Sequence, residues 1–150
     1  MTLTTLVHHI EIRRTPQEVF DYVTTPGRWP EWHPSALLLG PNTDHPLPAG
    51  ARFHEQVRAG GRSTQLFWHV RVAERPTRWV ADAEAGNGAQ LTLSYSMQAV
   101  EAGTRFERRL GYELPGAWLR LLNRLLLRRR IERESAESLR QLKQRMEAGA

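Results

Sequence analysis

Cysteine is absent from this 150-residue chain, which rules out disulfides, thiolate catalysis and cysteine-ligated metals. Lysine is nearly absent: Lys143 stands alone against twenty arginines. The net charge of +5 therefore reads as arginine used in place of lysine throughout, and it does not by itself point to nucleic acid. No apolar run approaches the roughly 18 residues of a membrane-spanning helix. The N-terminus has no basic segment followed by an apolar block, so a secretory leader is not expected and the cytoplasm is the default location. There is no internal repeat, no low-complexity tract and no block of like charges that resembles a tail. The six histidines lack the HxxxH and HExxH spacings, so no metal is expected. Gly86-Asn87-Gly88 is a turn and matches neither a dinucleotide fingerprint nor a phosphate loop. No GxSxG elbow is present, and no cofactor is implied.

What is present is organised around Thr15–Ser35. Thr15 and Glu18 have the spacing of a capping box, and Pro16 suits the first helical position. Val19, Phe20 and Val23 then share one helical face. Thr25-Pro26-Gly27 ends that helix and can start another short one. Trp29 and Trp32 lie three residues apart on that turn, and Pro34 pushes His33 out of helical geometry. Two indoles and an imidazole on a tight turn can close over a sheet and line a cavity; the tryptophans can equally be plain core and His33 a satisfied polar residue.

Around this stretch the chain alternates with period two. Leu3–Arg13 reads as a first strand with Leu6, His8, Ile10 and Ile12 on one face. Ala36–Leu39 is a short strand, and the proline-bearing segment 40–50 is a loop. Five further strands follow, Arg52–Arg58, Thr64–Ala73, Arg78–Glu84, Ala89–Val100 and Thr104–Tyr112. Gly60-Gly61, Arg75-Pro76, Gly86–Gly88 and Gly103 separate them. The expected inner face carries Phe53, Leu66, Trp68, Val70, Val72, Trp79, Leu93, Tyr95, Phe106 and Leu110. Short connections predict one antiparallel meander with a wet outer face. From Pro115-Gly116 a long helix can run to about Glu147. Its apolar residues define two faces, Trp118, Leu121, Leu122, Leu125 and Leu126 first, then Ile131, Leu139, Leu142 and Met146. Either the helix bends near Arg128–Arg130, or its first half is covered on more than one side.

In layout and in local motifs the chain resembles the polyketide cyclase/dehydrase branch of the START-like (SRPBCC, Bet v 1-like) helix-grip superfamily. The resemblance is carried by Ile10-Glu11-Ile12 with Thr15–Phe20, by Trp29-Pro30-Glu31-Trp32-His33-Pro34, by Gly50-Ala51-Arg52-Phe53 and by the closing helix, and it spans the chain. It implies a single α+β domain over residues 1–150. A seven-stranded antiparallel sheet would curve around a long C-terminal helix, with two short helices between strands 1 and 2. It also implies a cavity between sheet and helix for a lipid- or polyketide-like molecule, handled by carriers in some members and cyclases in others.

Polar residues on the apolar strand face are the candidates for chemistry. Glu55 lies between Phe53 and Val57, and Arg108 between Phe106 and Leu110. A buried charge must be paired or hydrogen-bonded, so these two meet each other or serve a ligand. The expected binding set is Trp32, His33, Phe53, Glu55, Trp68, Tyr95, Phe106, Arg108, Trp118 and Leu122, around a pocket of a few hundred Å³. Glu55, His33 and Arg108 are the weak catalytic candidates. The expectation is a monomer or homodimer that carries a small hydrophobic molecule. The alternatives are a cyclase or dehydratase in the same cavity, and an RNA- or protein-interaction module built on the arginine-rich helix. Arg120, Arg124, Arg128, Arg129, Arg130 and Arg133 are read as a solvated face rather than a nucleic-acid site.

Overall fold

A computed structural model describes residues 3–59 and 62–149. The expected Gly60-Gly61 turn lies outside the described residues. Seven strands form one antiparallel sheet in the order β1-β7-β6-β5-β4-β3-β2. They are β1 (Thr4–Ile12), β2 (Ala36–Leu39), β3 (Arg52–Ala59), β4 (Arg62–Glu74), β5 (Arg78–Ala85), β6 (Gln90–Val100) and β7 (Gly103–Glu113). Helix α1 (Pro16–Val23) and a 3₁₀ turn (Pro26–Glu31) separate β1 from β2. These two consecutive strands therefore occupy opposite edges of the sheet. The chain closes with α2 (Ala117–Leu122), a π-helical turn (Asn123–Leu127) and α3 (Arg128–Ala148).

Local chemistry accounts for these boundaries. Thr15 Oγ1 accepts from the Glu18 amide at 3.1 Å, and the Thr15 amide donates to Glu18 Oε1 at 3.4 Å, which is the expected capping box. Val19, Phe20 and Val23 are buried beneath it. The strand alternation holds. Phe53, Trp68, Trp79, Leu93, Tyr95 and Phe106 are all buried, while Arg52 and Gln65 on the other face are exposed. One strand departs from the expectation. Between Val70 and Val72 the pairing with β5 shifts by a residue, so Val70 opposes Ala81 but Val72 opposes Val80. Arg71 is the extra residue of a bulge, and Val72 is consequently only half-buried.

The aromatic residues form the densest part of the core. Trp29 meets Phe53, Trp68 and Trp79 edge-on at 5.6, 5.8 and 6.1 Å, and its Nε1 donates to the Val23 carbonyl at 2.8 Å. Trp79 stacks on Tyr95 at 5.5 Å, and Tyr95 leans on Phe106 at 5.2 Å. Helix α3 covers this layer with Ser135, Ser138, Leu139 and Leu142. Its far end is tied to the strand edge, where Arg14 Nε donates to the Met146 carbonyl and Lys143 Nζ to the Glu11 carbonyl, both at 2.7 Å.

The first half of the closing helix removes one of the two expected alternatives. It is not covered on two sides. Trp118 is 71% exposed, Leu121 45%, Leu125 62% and Leu126 65%. The change of face comes from the π-helical turn at Asn123–Leu127, which inserts extra backbone and rotates α3 relative to α2. Asn123 anchors the turn from inside. It accepts from Tyr112 Oη at 2.7 Å and donates to Thr4 Oγ1 at 3.2 Å.

Candidate functional site

Between the inner sheet face and α3 lies a cavity of about 160 Å³. Most of its wall is apolar: Trp29, Val57, Leu66, Trp68, Leu91, Leu93, Leu110, Leu114 and Ile131. Period-two geometry puts every other residue of β3, β4, β6 and β7 on this wall, which is why a few polar substitutions at those positions become a site.

Four polar side chains converge there: Glu55 from β3, Tyr95 from β6, Arg108 from β7 and His33 after the 3₁₀ turn. Glu55 and Arg108 are 4% and 6% exposed. They do not form an ion pair with each other. Glu55 Oε1 accepts from Trp68 Nε1 at 2.9 Å. Burial drives its carboxyl up to about 7, against the Trp68 bond and the positive charge of Arg108. Arg108 uses Nη1 to donate to Ser135 Oγ at 2.9 Å and Nη2 to donate to His33 Nε2 at 3.1 Å. Its Nε is buried with no partner, and no carboxylate among the described residues pairs with it. Arg108 thus lines the cavity and keeps one buried donor to which no described residue offers an acceptor.

His33 is held neutral. Burial and the adjacent guanidinium push its imidazole well below the ordinary range. The Ser35 amide lies 3.2 Å from Nδ1, yet a neutral ring has one lone pair, and the charged donor claims it at Nε2. His33 is thus an acceptor for Arg108, and its lone pair is not free to take a substrate proton. Tyr95 sits directly across from Arg108 in the β6–β7 register, and burial raises its hydroxyl above the normal range. His8, opposite Arg108 on the other side, is lowered by burial and then by that same charge.

The expected binding set divides. Glu55, His33, Trp68, Tyr95 and Arg108 line the cavity together. Trp32, Phe53 and Phe106 are buried in the core behind the wall and do not line it. Trp118 is on the surface and Leu122 is half-buried away from the wall, because α2 lies beyond the cavity rather than over it. Trp29, not Trp32, presents its indole to the cavity. The sequence reading missed Ser35, Glu134 and Ser135, which close the polar end, with Ser35 Oγ donating to Glu134. A signal for Ser135 existed. Ile131, Ser135, Ser138 and Leu142 recur at helical spacing on one face, and attention to apolar residues alone skips the serines.

Among the described residues, no group of three His, Asp or Glu side chains could hold a metal ion, and no helix is long and apolar enough to cross a membrane.

A sheet gripping a helix, with a mostly apolar cavity and one buried polar cluster between them, defines the class: an α+β protein of the helix-grip fold. The chain belongs to the family described as polyketide cyclase / dehydrase and lipid transport, which it matches over residues 4–147. No curated protein sequence matches it. Among solved structures it is similar to TTHA0849 from Thermus thermophilus, with 17% identity, a TM-score of 0.78 and coverage of 98% of this chain and 99% of that one. It is also similar to the di-domain ARO/CYC StfQ of the steffimycin biosynthetic pathway, with 17% identity and a TM-score of 0.76, covering 99% of this chain and 52% of that one. Ara h 8.0201 shares the fold at 9% identity and a TM-score of 0.67, covering 98% and 99%.

Proposed function

We propose that this protein binds a small, mainly apolar molecule between sheet and α3 and acts as a carrier or binding protein. The observation that carries the reading is Arg108. It is a buried cation at the cavity wall with an unpartnered Nε and no carboxylate in ion-pair contact among the described residues, in an enclosure whose wall is mostly apolar. Such a group is matched by a ligand that brings a carbonyl, carboxylate or phenolic oxygen to it and buries a hydrocarbon body against Leu66, Leu93 and Leu110. A cavity of about 160 Å³ suits a ligand portion about the size of one aromatic ring, since cavities of about 150 Å³ take up benzene. This is smaller than the few hundred Å³ expected from the sequence, so a larger ligand needs α3 or the turn around Asn87 to yield.

A second reading rests on Glu55. A carboxyl whose pKa is about 7 is half-protonated at neutral pH and is suited to passing a proton to or from a bound carbonyl compound, as a cyclase or dehydratase needs. His33 contributes less to this reading because its lone pair is occupied.

Native mass spectrometry of protein from its own host, followed by displacement of a fluorescent naphthalene-type probe, tests the proposal. A retained small molecule, probe uptake by the wild type and at least about tenfold weaker uptake by Arg108→Met support it. Absence of both a retained molecule and probe uptake overturns it. Turnover of a polyketide-like ketone that vanishes in Glu55→Gln favours the second reading.

A further inference from the structure

The exposed face of α2 and the π-helical turn combines two features the cavity does not use. Trp118, Leu121, Leu125 and Leu126 are spaced i, i+3, i+7 and i+8, so they lie on one side of the helix, and all are exposed. Between residues 117 and 131 the chain carries five arginines and no acidic residue. Elsewhere seven of the fifteen arginines join an ion pair among the described residues. Arg75 meets Asp21, Arg28 meets Glu31 and Arg14 meets Glu18. Here only Arg130 has a carboxylate, Glu134 at 3.5 Å, while Arg120, Arg124, Arg128 and Arg129 join no ion pair among the described residues. Leu3, just before β1, extends the patch, since it shares a surface groove with Leu121, Arg120, Arg124 and Arg128.

We propose that this face docks on an anionic lipid surface, with Trp118, Leu121, Leu125 and Leu126 in the headgroup–acyl boundary and the flanking arginines on lipid phosphates. Both halves of the patch are needed to identify the partner. Unpaired arginines alone would suit RNA, but RNA offers nothing to a row of leucines. An apolar row alone would suit another protein, but its flanks then call for neutralising acids. An anionic membrane satisfies both at once, because a helix lying in the interface buries its apolar stripe while arginines reach up to the headgroups. Tryptophan is the side chain that such an interface favours. The helical length involved, residues 117–127, is about 16 Å, which is enough to lie in the plane and far too short to span.

The patch also stands next to the cavity. Leu114 and Ile131, the residues that bracket it, both line the cavity, and Asn123 at the head of the π-helical turn holds the cavity residue Tyr112. If the ligand-binding reading is right, docking here brings the cavity up against the lipid from which an apolar ligand is drawn. The docking itself does not depend on that reading.

Co-sedimentation with vesicles of phosphatidylcholine alone, and with about a third phosphatidylglycerol, tests the proposal with ligand-free protein. The expected result is partitioning onto the anionic vesicles only, falling about tenfold or more between about 0.05 M and 0.5 M NaCl. Leu121→Ser with Leu125→Ser should abolish it, and Arg124→Gln with Arg128→Gln and Arg129→Gln should weaken it roughly a hundredfold. These positions are exposed, so thermal melting should be unchanged. Equal partitioning onto both vesicle types overturns the proposal, and so does no partitioning at low salt. Salt-sensitive RNA retention in place of vesicle binding, or self-association removed by the leucine changes in place of vesicle binding, also overturns it. Loss of probe uptake in the cavity, with vesicle binding intact, counts against the ligand reading alone.

Discussion

Glu55 makes stability depend on pH in a direction opposite to most carboxylates. In the unfolded chain it titrates near its ordinary value of 4.5; in the fold burial lifts it to about 7. Between these values the native state holds a proton that the unfolded state has released, so stability falls as pH rises through the window. Integrating a single site between pH 5 and pH 8 gives a loss of roughly 2–3 kcal/mol. For a protein of this size that is a drop in Tm of roughly 5–10 °C. His33 works the other way. Its folded pKa is depressed, so its contribution is present above the unfolded value near 6.5 and is lost as pH falls. A bare pH profile therefore mixes two opposed slopes, and the Glu55→Gln variant is needed to separate them. The assay is urea unfolding at pH 5 and pH 8 for both proteins. The wild type should lose roughly 2–3 kcal/mol more than Glu55→Gln over this interval. Parallel behaviour of the two proteins would mean that Glu55 reaches water and titrates normally, which would remove the physical basis for giving it a role in the cavity.

Three further outcomes are expected. Arg108→Met should return the His33 imidazole upward toward its ordinary range, read by proton NMR of the ring, because one of the two causes of its depression is gone; folding stability should change by no more than about 1–2 kcal/mol, as the cation has no carboxylate to strand. Ala85→Leu places a larger side chain at the cavity wall and should remove probe uptake while leaving the melting temperature within about 2 °C, measured by calorimetry. Gly103→Ala should destabilise by about 3 kcal/mol or more in chemical denaturation, because Gly103 has φ +148° and an added Cβ would stand 2.3 Å from the Ile12 carbonyl oxygen.

Much of this architecture was legible because it follows from local rules. The Thr15–Glu18 cap, the alternation of Phe53, Trp68, Leu93, Tyr95 and Phe106, and the turn glycines each act over a few residues. The candidate site was legible in part for the same reason. Glu55 and Arg108 stand out as charges in apolar strand positions, and alternation alone places both on the cavity side. What alternation cannot reveal is which inward residue meets open space and which meets another side chain. Trp32 and Trp29 look alike in sequence, yet one is packed under Tyr95 and the other faces the cavity. That difference depends on how the 3₁₀ turn sits against the sheet. Trp118 was misplaced for a different reason. Its helical face is apolar, and apolar faces are normally covered, but the π-helical turn redirects the helix so that α3 alone does the covering. The Val70–Val72 bulge was hidden because Val72 continues the apolar alternation in sequence, although the inserted Arg71 takes it out of the inner-face phase.

The placement of β1 and β2 at opposite edges has a consequence for how this chain is made. β1 leaves the ribosome first, but its partner is β7, in a register that joins Thr4 to Tyr112 and Ile12 to Thr104. Strands β2 to β7 can pair in order, each with its predecessor, as synthesis proceeds. β1, with Leu6, Ile10 and Ile12 on one face, has to wait until most of the chain exists. Contacts this distant in sequence close slowly, since the intervening loop must be ordered first. During that wait an apolar strand with unpaired backbone is exposed, which is the state most open to pairing with another chain. Arginine at 13 and 14 and the paired histidines at 8 and 9 put polar side chains along that waiting strand. A nascent chain halted before β7 would therefore be the species most prone to aggregate, and one released after it would not.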